Sequence, residues 1–329
     1  MSETQKPKIV ILDAYVANPG DYSWNPLEEF GHCTIWERTE SRAEVLERAA
    51  GAEIVLTDKV ELTRDILEAL PELRMISVLA TGYNVIDLKA ATELGILVCN
   101  VPNYSTSSVT QHIFAVLLYL LNHTDSYARA VADGAWSSSQ DFTFFLESIR
   151  ELEGMTLGIV GYGSIGRSVA AVGRAFGMKI LVNSRTPKAD KDVRFTDLTT
   201  LLAESDVVSL HCPQTPETVR MINRQTLALM KPGAILINAA RGGLLDEAAV
   251  ADALNSGQLA AAALDVLSSE PPPADNPLLK AKNCLITPHI AWAGLNARRR
   301  LLEITFANIR GFCQGKPVNL VNPDALEKI

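Results

Sequence analysis

Short runs of β-branched and apolar residues alternate along the chain with stretches whose apolar positions recur every three or four residues. The alternation runs through the sequence twice. Strands separated by helical patterns in this way point to βαβ units and parallel sheets. In the first set the pattern predicts strands over Lys8–Ala14, Cys33–Glu37, Ile54–Thr57, Met75–Leu79 and Leu97–Asn100. In the second set it predicts them over Thr156–Gly161, Lys179–Asn183, Val207–His211, Ala234–Asn238, Ala261–Val266 and Cys284–Thr287. The residues of the two sets do not repeat; the repetition is architectural.

The helical stretches carry their own punctuation. Ser164–Phe176 places Ile165, Val169, Val172 and Phe176 on one face. Asp246 is placed to cap a helix that runs to about Asn255 and stops at Gly257. A last helix over Leu295–Cys313 sets Leu301, Ile304, Ile309 and Phe312 against the basic run Arg298–Arg300, which reads as a solvated face. Ser105–Asn122 is apolar nearly all round and predicts a helix buried between domains. His123–Leu152 has no strand pattern but carries Trp136, Phe142, Phe144 and Phe145, as expected of an arm that packs on its own domain or clasps a second copy in a homodimer. The expected domains are residues 1–102 with 292–329, to which the chain returns, and residues 103–291, with the arm at 123–152.

Composition narrows the function. A chain of 329 residues, 47% hydrophobic and 21% charged, can build two large cores. A net charge of −8 disfavours nucleic acid as a partner and is no obstacle to a small anion held by one local arginine. Five scattered cysteines, an odd number without metal-ligand spacing, suit free thiols in a reducing compartment; no metal site is expected. The first residues do not read as a signal peptide, and the most apolar stretch, Ile113–Leu121, is too short to span a bilayer, so a cytoplasmic protein is expected.

Gly161-Tyr162-Gly163-Ser164-Ile165-Gly166 follows a predicted strand and opens a predicted helix. In that context the first glycine allows a tight turn, the second lets backbone approach a pyrophosphate, and the third lets helix pack on strand. The helix N-terminus then offers free N–H groups to the phosphates. The expected class is therefore α/β, with two Rossmann-like doubly wound parallel-sheet domains and an active-site cleft between them. The next strand ends in Asn183-Ser184-Arg185, where an acidic residue would contact an NAD ribose. A hydroxyl and a guanidinium suit a 2′-phosphate instead, which favours NADP over NAD.

Three late strands end in polar residues: Ala239-Ala240-Arg241 after one, Asp265 and Glu270 after the next, and Thr287-Pro288-His289 after the last. Ligands of open parallel sheets bind at such carboxyl ends. Taken singly, Arg241 reads as a surface ion-pair residue, Glu270 as a turn residue before prolines, and His289 as a buried histidine with a satisfied ring. Together with Ala80-Thr81-Gly82-Tyr83-Asn84, the glycine loop and His211-Cys212-Pro213-Gln214-Thr215-Pro216-Glu217-Thr218, these segments resemble the D-isomer-specific 2-hydroxyacid dehydrogenases over nearly the whole chain. Ala80–Asn84 and Val109–His112 are similar to the glycerate dehydrogenase and hydroxypyruvate (glyoxylate) reductase branch.

The resemblance implies catalytic roles for Arg241, Glu270 and His289. Arg241 would grip the carboxylate of a 2-keto acid, His289 would exchange a proton with its carbonyl oxygen, and Glu270 would hold the ring and favour its protonated form. Asp265 would anchor the nicotinamide, and Cys212, Pro213, Thr218, Ala239 and Ala240 would line the cofactor. Thr81, Gly82 and Tyr83 would meet the substrate through backbone N–H groups. His112 and His211 are read as structural or cofactor-adjacent, and Trp292 as a pocket wall or a packing residue. The implied reaction is hydride transfer between NAD(P)H and a small 2-keto or 2-hydroxy acid, glyoxylate or hydroxypyruvate and D-glycerate first. Two alternatives remain: an NAD(H)-binding corepressor-like protein of the same fold, and a methyltransferase holding S-adenosylmethionine at the glycine loop. The second leaves Arg241, Glu270 and His289 without a task.

Overall fold

A computed structural model describes residues 6–186 and 190–328. The chain divides into two compact units: residues 6–105 with 293–328, and Thr106–Trp292.

In the first unit, β1 (Lys8–Ile11), α1 (Ala14–Ala17), β2 (His32–Ile35), α2 (Arg42–Ala49), β3 (Ile54–Thr57), α3 (Arg64–Glu68), β4 (Met75–Val78), α4 (Leu88–Glu93) and β5 (Leu97–Cys99) follow one another. All strand pairings are parallel and the order is β2-β1-β3-β4-β5. Every residue of β3, β4 and β5 is buried, as expected of strands covered on both faces. The edge strand β2 is largely exposed, so it runs a residue or two away from the predicted Cys33–Glu37 span. The capping box of Ser41 and Glu44 starts α2.

The second unit contains α5 (Thr106–Asn122), α6 (Thr124–Ala132), β6 (Thr156–Val160), α7 (Ser164–Ala175), β7 (Lys179–Asn183), β8 (Arg194–Phe195), α8 (Leu198–Glu204), β9 (Val207–Leu210), α9 (Arg224–Leu227), β10 (Ala234–Asn238), α10 (Glu247–Ser256), β11 (Leu259–Leu264) and β12 (Cys284–Ile286). The seven strands are parallel in the order β12-β11-β10-β9-β6-β7-β8. The order reverses between β6 and β9, the doubly wound arrangement. Asp246 accepts from the Ala249 N–H at the start of α10, and Gly257 ends that helix in the left-handed region. β8, two residues long, is too short to leave a periodic signal in the sequence.

Two expectations change. The first concerns α5, which packs against α7 and β11 in its own unit and is not buried all round. Ser107, Gln111, Ala115 and Tyr119, four residues apart, form an exposed stripe. The second concerns the arm, which contains a helix, α6, with no buried residue. Phe142 and Phe145 stand 89% and 82% exposed, whereas Phe144 turns back onto Tyr127, ring centroids 5.9 Å apart. The last helix, α11 (Leu295–Cys313), packs on β4 in the first unit. Among the described residues no helix is long and apolar enough to cross a membrane.

Candidate active site

One row of residues organises the carboxyl edge of the second sheet. Asn183, Val160, Leu210, Asn238, Leu264 and Ile286 are direct neighbours across β7, β6, β9, β10, β11 and β12. One to three residues beyond that row the chain reaches Arg185, Gly161, Cys212, Arg241, Asp265 and His289 in the same order. Six strands span about 24 Å at the usual spacing. The edge therefore carries the dinucleotide residues at one end and the charged groups at the other.

At the dinucleotide end the glycines have distinct tasks. Gly161 has φ +100°, and a Cβ there would lie 2.6 Å from the His211 carbonyl, so the turn after β6 presses on the start of the next loop. A Cβ on Gly166 would meet the Gly161 carbonyl oxygen at 2.1 Å, so α7 sits as close to the turn as backbone allows. A Cβ on Gly163 meets nothing within 4 Å. That open space stands at the N-terminus of a twelve-residue helix, whose dipole favours negative charge. Ser164 begins that helix and Ile165 packs against the core. The Tyr162 side chain is turned inward. Its hydroxyl donates to Asp190 at 2.6 Å and its ring packs edge-on to Phe195, so only its backbone remains for a ligand. Burial, then the Asp190 carboxylate, pushes the phenol up to about 12.

Asn183 donates its amide to Thr196 O at 3.0 Å, and Ser184 donates its hydroxyl to Thr186 O at 3.3 Å. Arg185 is exposed. The neighbouring Pro187 and Lys188 lie outside the described residues. The Glu217 carboxyl is held below its usual range first by the Thr215 hydroxyl and last by the Arg185 charge, which places Arg185 in electrostatic reach of the loop after β9. Thr218 closes that loop: its hydroxyl donates to Pro213 O at 2.8 Å and accepts from Thr215 N at 2.7 Å. Cys212 Sγ rests 3.7 Å from Met221 Sδ, and burial raises its thiol, so it is no thiolate at neutral pH.

At the other end Arg241 stands on a loop that Asn238 builds. The fully buried Asn238 side chain accepts from Ala240 N at 3.0 Å and donates to Arg241 O at 2.8 Å, across Ala239. The Arg241 guanidinium donates to Ala240 O at 2.6 Å and is otherwise exposed. A Cβ on Gly242 would lie 1.9 Å from the Leu267 carbonyl carbon, so this loop packs directly on the loop that carries Glu270. Glu270 accepts from Leu267 N at 3.0 Å with one carboxylate oxygen and touches His289 Nδ1 at 2.6 Å with the other. His289 has φ +54°, a conformation that L residues seldom adopt, and its N–H is shared between Asp265 O at 2.8 Å and Thr287 O at 2.9 Å. About a third of each partner's side chain remains accessible.

The Asp265 carboxylate is 3% exposed and engaged by the chain: Thr287 Oγ1 donates to it at 2.6 Å, Ile290 N at 2.9 Å and Ala291 N at 2.8 Å. It holds the His289 loop. Asn238 and Thr287 escaped the sequence reading because a buried amide and a half-buried hydroxyl at strand ends leave no pattern; the polar Asn238 closing an apolar strand was the one available signal. His211 is desolvated, which pushes its imidazole down to about 4, and its Nε2 lies 2.9 Å from Ser209 Oγ. Among the described residues no three His, Cys, Asp or Glu side chains form a metal-ligating group.

Thr81, Gly82 and Tyr83 follow β4 in the first unit. The Thr81 hydroxyl donates to Val101 O at 2.8 Å and Thr81 O accepts from the Asn100 amide at 2.8 Å. Asn308 of α11 in turn donates to Asn100 O at 2.9 Å, so a chain of amides braces this loop from within its own unit.

Residues 114–291 match the NAD-binding domain of the D-isomer specific 2-hydroxyacid dehydrogenases. The chain is 45% identical over 320 residues to a hydroxypyruvate reductase of Blautia hydrogenotrophica, covering 96% of this chain and 99% of that one. It is 40% identical over 316 residues to a glycerate dehydrogenase of Methylorubrum extorquens, covering 95% and 98%. An acyclic imino acid reductase in complex with NADPH and D-Arg superposes with a TM-score of 0.85 at 29% identity, covering 95% of this chain and 99% of that one.

Proposed function

Within the D-isomer specific 2-hydroxyacid dehydrogenases, the family to which this chain belongs, we propose that it interconverts hydroxypyruvate and D-glycerate, with glyoxylate as a second substrate. The chain is an NAD(P)-dependent dehydrogenase of small 2-hydroxy acids. The observation that carries the chemistry is the 2.6 Å contact between Glu270 and His289 Nδ1, on loops packed beside that of Arg241.

A nicotinamide cofactor, when bound, would supply the hydride in reduction and accept it in oxidation. His289 handles the proton: with Nδ1–H held by Glu270, its Nε2 donates to the C2 oxygen in reduction and takes the proton back in oxidation. Arg241, with its fork of donors, pairs with the substrate carboxylate and sets C2 in place. The open space at Gly163, with backbone from Tyr162 to Gly166, receives the pyrophosphate. Arg185 with Ser184, beside Asn183, receives a 2′-phosphate, so NADP is the proposed cofactor. Thr81, Gly82 and Tyr83 are proposed as substrate contacts on the resemblance alone. The exposed Phe142 and Phe145 of the arm support a homodimer. The five free thiols suit a reducing compartment such as the cytoplasm.

A panel of glyoxylate, hydroxypyruvate, pyruvate and longer 2-keto acids with NADPH and NADH tests the reading. Hydroxypyruvate with NADPH should give the highest kcat/KM. Replacing Asn183 by Asp and Arg185 by Ala should move the preference toward NADH by about tenfold or more, since a charge-assisted phosphate contact contributes roughly 1.5–3 kcal/mol. A wild type that already prefers NADH overturns the cofactor assignment, and a sedimenting monomer at micromolar concentration overturns the dimer.

A further inference from the structure

The loop that carries His289 is gripped at both ends by one helix. Ser108 and His112 lie one turn apart on the same face of α5. Ser108 Oγ donates to Ala291 O at 2.7 Å, two residues after His289. His112 Nε2 lies 3.2 Å from Thr287 Oγ1, two residues before it. From these contacts we propose that Ser108 and His112 are positioning residues, which hold the His289 ring in its left-handed backbone setting so that Nε2 faces the reacting oxygen. The proposal rests on the acid–base role given to His289 above.

The hydrogen-bond arithmetic sets the direction of each link. A threonine hydroxyl has one proton to donate, and Thr287 gives it to Asp265 at 2.6 Å. Thr287 Oγ1 can therefore only accept from His112, so Nε2 of His112 carries the hydrogen. The chain runs from His112 to Thr287 to Asp265, and Asp265 then binds the backbone N–H groups of Ile290 and Ala291 with its carboxylate and that of His289 with its carbonyl. His112 Nε2 is also the only cationic or potentially cationic group within 4.0 Å of this buried carboxylate among the described residues, at 3.7 Å. A carboxylate this buried is retained when donors surround it, and its donors are the loop itself. A backbone left in the left-handed region without these restraints relaxes, and the ring moves with it.

The experiment compares His112→Leu, His112→Gln, Ser108→Ala and His289→Gln with the wild type, using the 2-keto acid that ranks first in the panel. His112→Leu removes the donor, and kcat should fall about tenfold to a hundredfold, the scale of a misplacement of an ångström, with KM and NADPH affinity within about twofold. His112→Gln restores an N–H donor near the same place and should recover most of the loss. Ser108→Ala, a loss of one hydroxyl, should lower kcat in the same sense and serves if His112→Leu does not fold. Unchanged kcat in both His112→Leu and Ser108→Ala overturns the proposal. So does an equal loss in His112→Leu and His112→Gln, or an effect on KM or NADPH binding alone. If His289→Gln itself keeps full activity, the acid–base reading fails instead, which separates the two.

Discussion

The two parallel sheets meet the same problem at the point where strand order reverses, and they solve it differently. In the first unit the reversal lies between β1 and β3, and Leu12-Asp13-Ala14 follows β1 with no glycine. The Asp13 carboxylate accepts from the N–H groups of Asp58, Lys59 and Val60 at 2.9, 2.6 and 3.2 Å. In the second unit the reversal lies between β6 and β9, and Gly161, Gly163 and Gly166 leave backbone and open space there. Strand ends and loop N–H groups form an anion-binding concavity in both. One unit fills it with a carboxylate of its own; in the other a Cβ on Gly163 would meet no atom of the chain within 4 Å. Fold alone does not separate them; the residue just past the first strand does.

Four experiments press on that comparison. The largest effect should come from the working edge of the second sheet. His289→Gln should lower kcat by about 100-fold or more in both directions, with NADPH binding little changed, because general acid–base catalysis contributes roughly 100- to 10,000-fold. Full turnover in this variant would leave the second edge with a binding role only.

Next is the closed site. Asp13→Ala strands the N–H groups of Asp58 and Lys59, while that of Val60 keeps Thr57 Oγ1 at 3.0 Å, and should lower stability by about 1.5–3 kcal/mol, read as a shift in urea midpoint. Because Asp13 belongs to the other unit, the NADPH dissociation constant of the folded protein should not move. A loss of NADPH affinity with unchanged stability would mean that Asp13 serves the cofactor.

The open site predicts the reverse. Gly163→Ala puts a methyl where no atom of the chain stands. Stability should change by no more than about 0.5 kcal/mol while NADPH affinity falls about tenfold. Equal affinity in this variant would show that the cofactor does not use the space.

At pH 7 the smallest effect is the last, because it develops only in acid. His211, beside the Gly161 turn, titrates at about 4 when folded against an ordinary value of 6.5. Its folded form prefers the neutral ring, so this contribution is complete above about pH 6.5 and is lost as pH falls toward 4. Its steepest slope is about 1.4 kcal/mol per pH unit. His211→Asn should flatten the stability profile over that window and leave stability at pH 7 nearly unchanged. An unaltered profile would show that the ring is hydrated.

Local signals determined much of this protein. Apolar periodicity located every strand but β8 within a few residues, because a buried parallel strand needs a continuous apolar run whatever its neighbours. Gly161, Gly163 and Gly166 were legible because a tight turn, a pyrophosphate and a helix–strand contact each demand the absence of a side chain at a fixed spacing. Arg241, Glu270 and His289, each ordinary when taken singly, were singled out by the resemblance of their segments to the D-isomer-specific 2-hydroxyacid dehydrogenases. The tertiary structure alone decided the rest. It turned Tyr162 inward to Asp190, exposed one stripe of α5, and set Asp265 on the backbone of the His289 loop. It also brought Ser108 and His112 to a loop more than 170 residues away. These outcomes depend on which donors and acceptors close packing brings within hydrogen-bond distance. Residue type and spacing along the chain carry no record of that, because the partners become neighbours only when the sheet and its helices have formed.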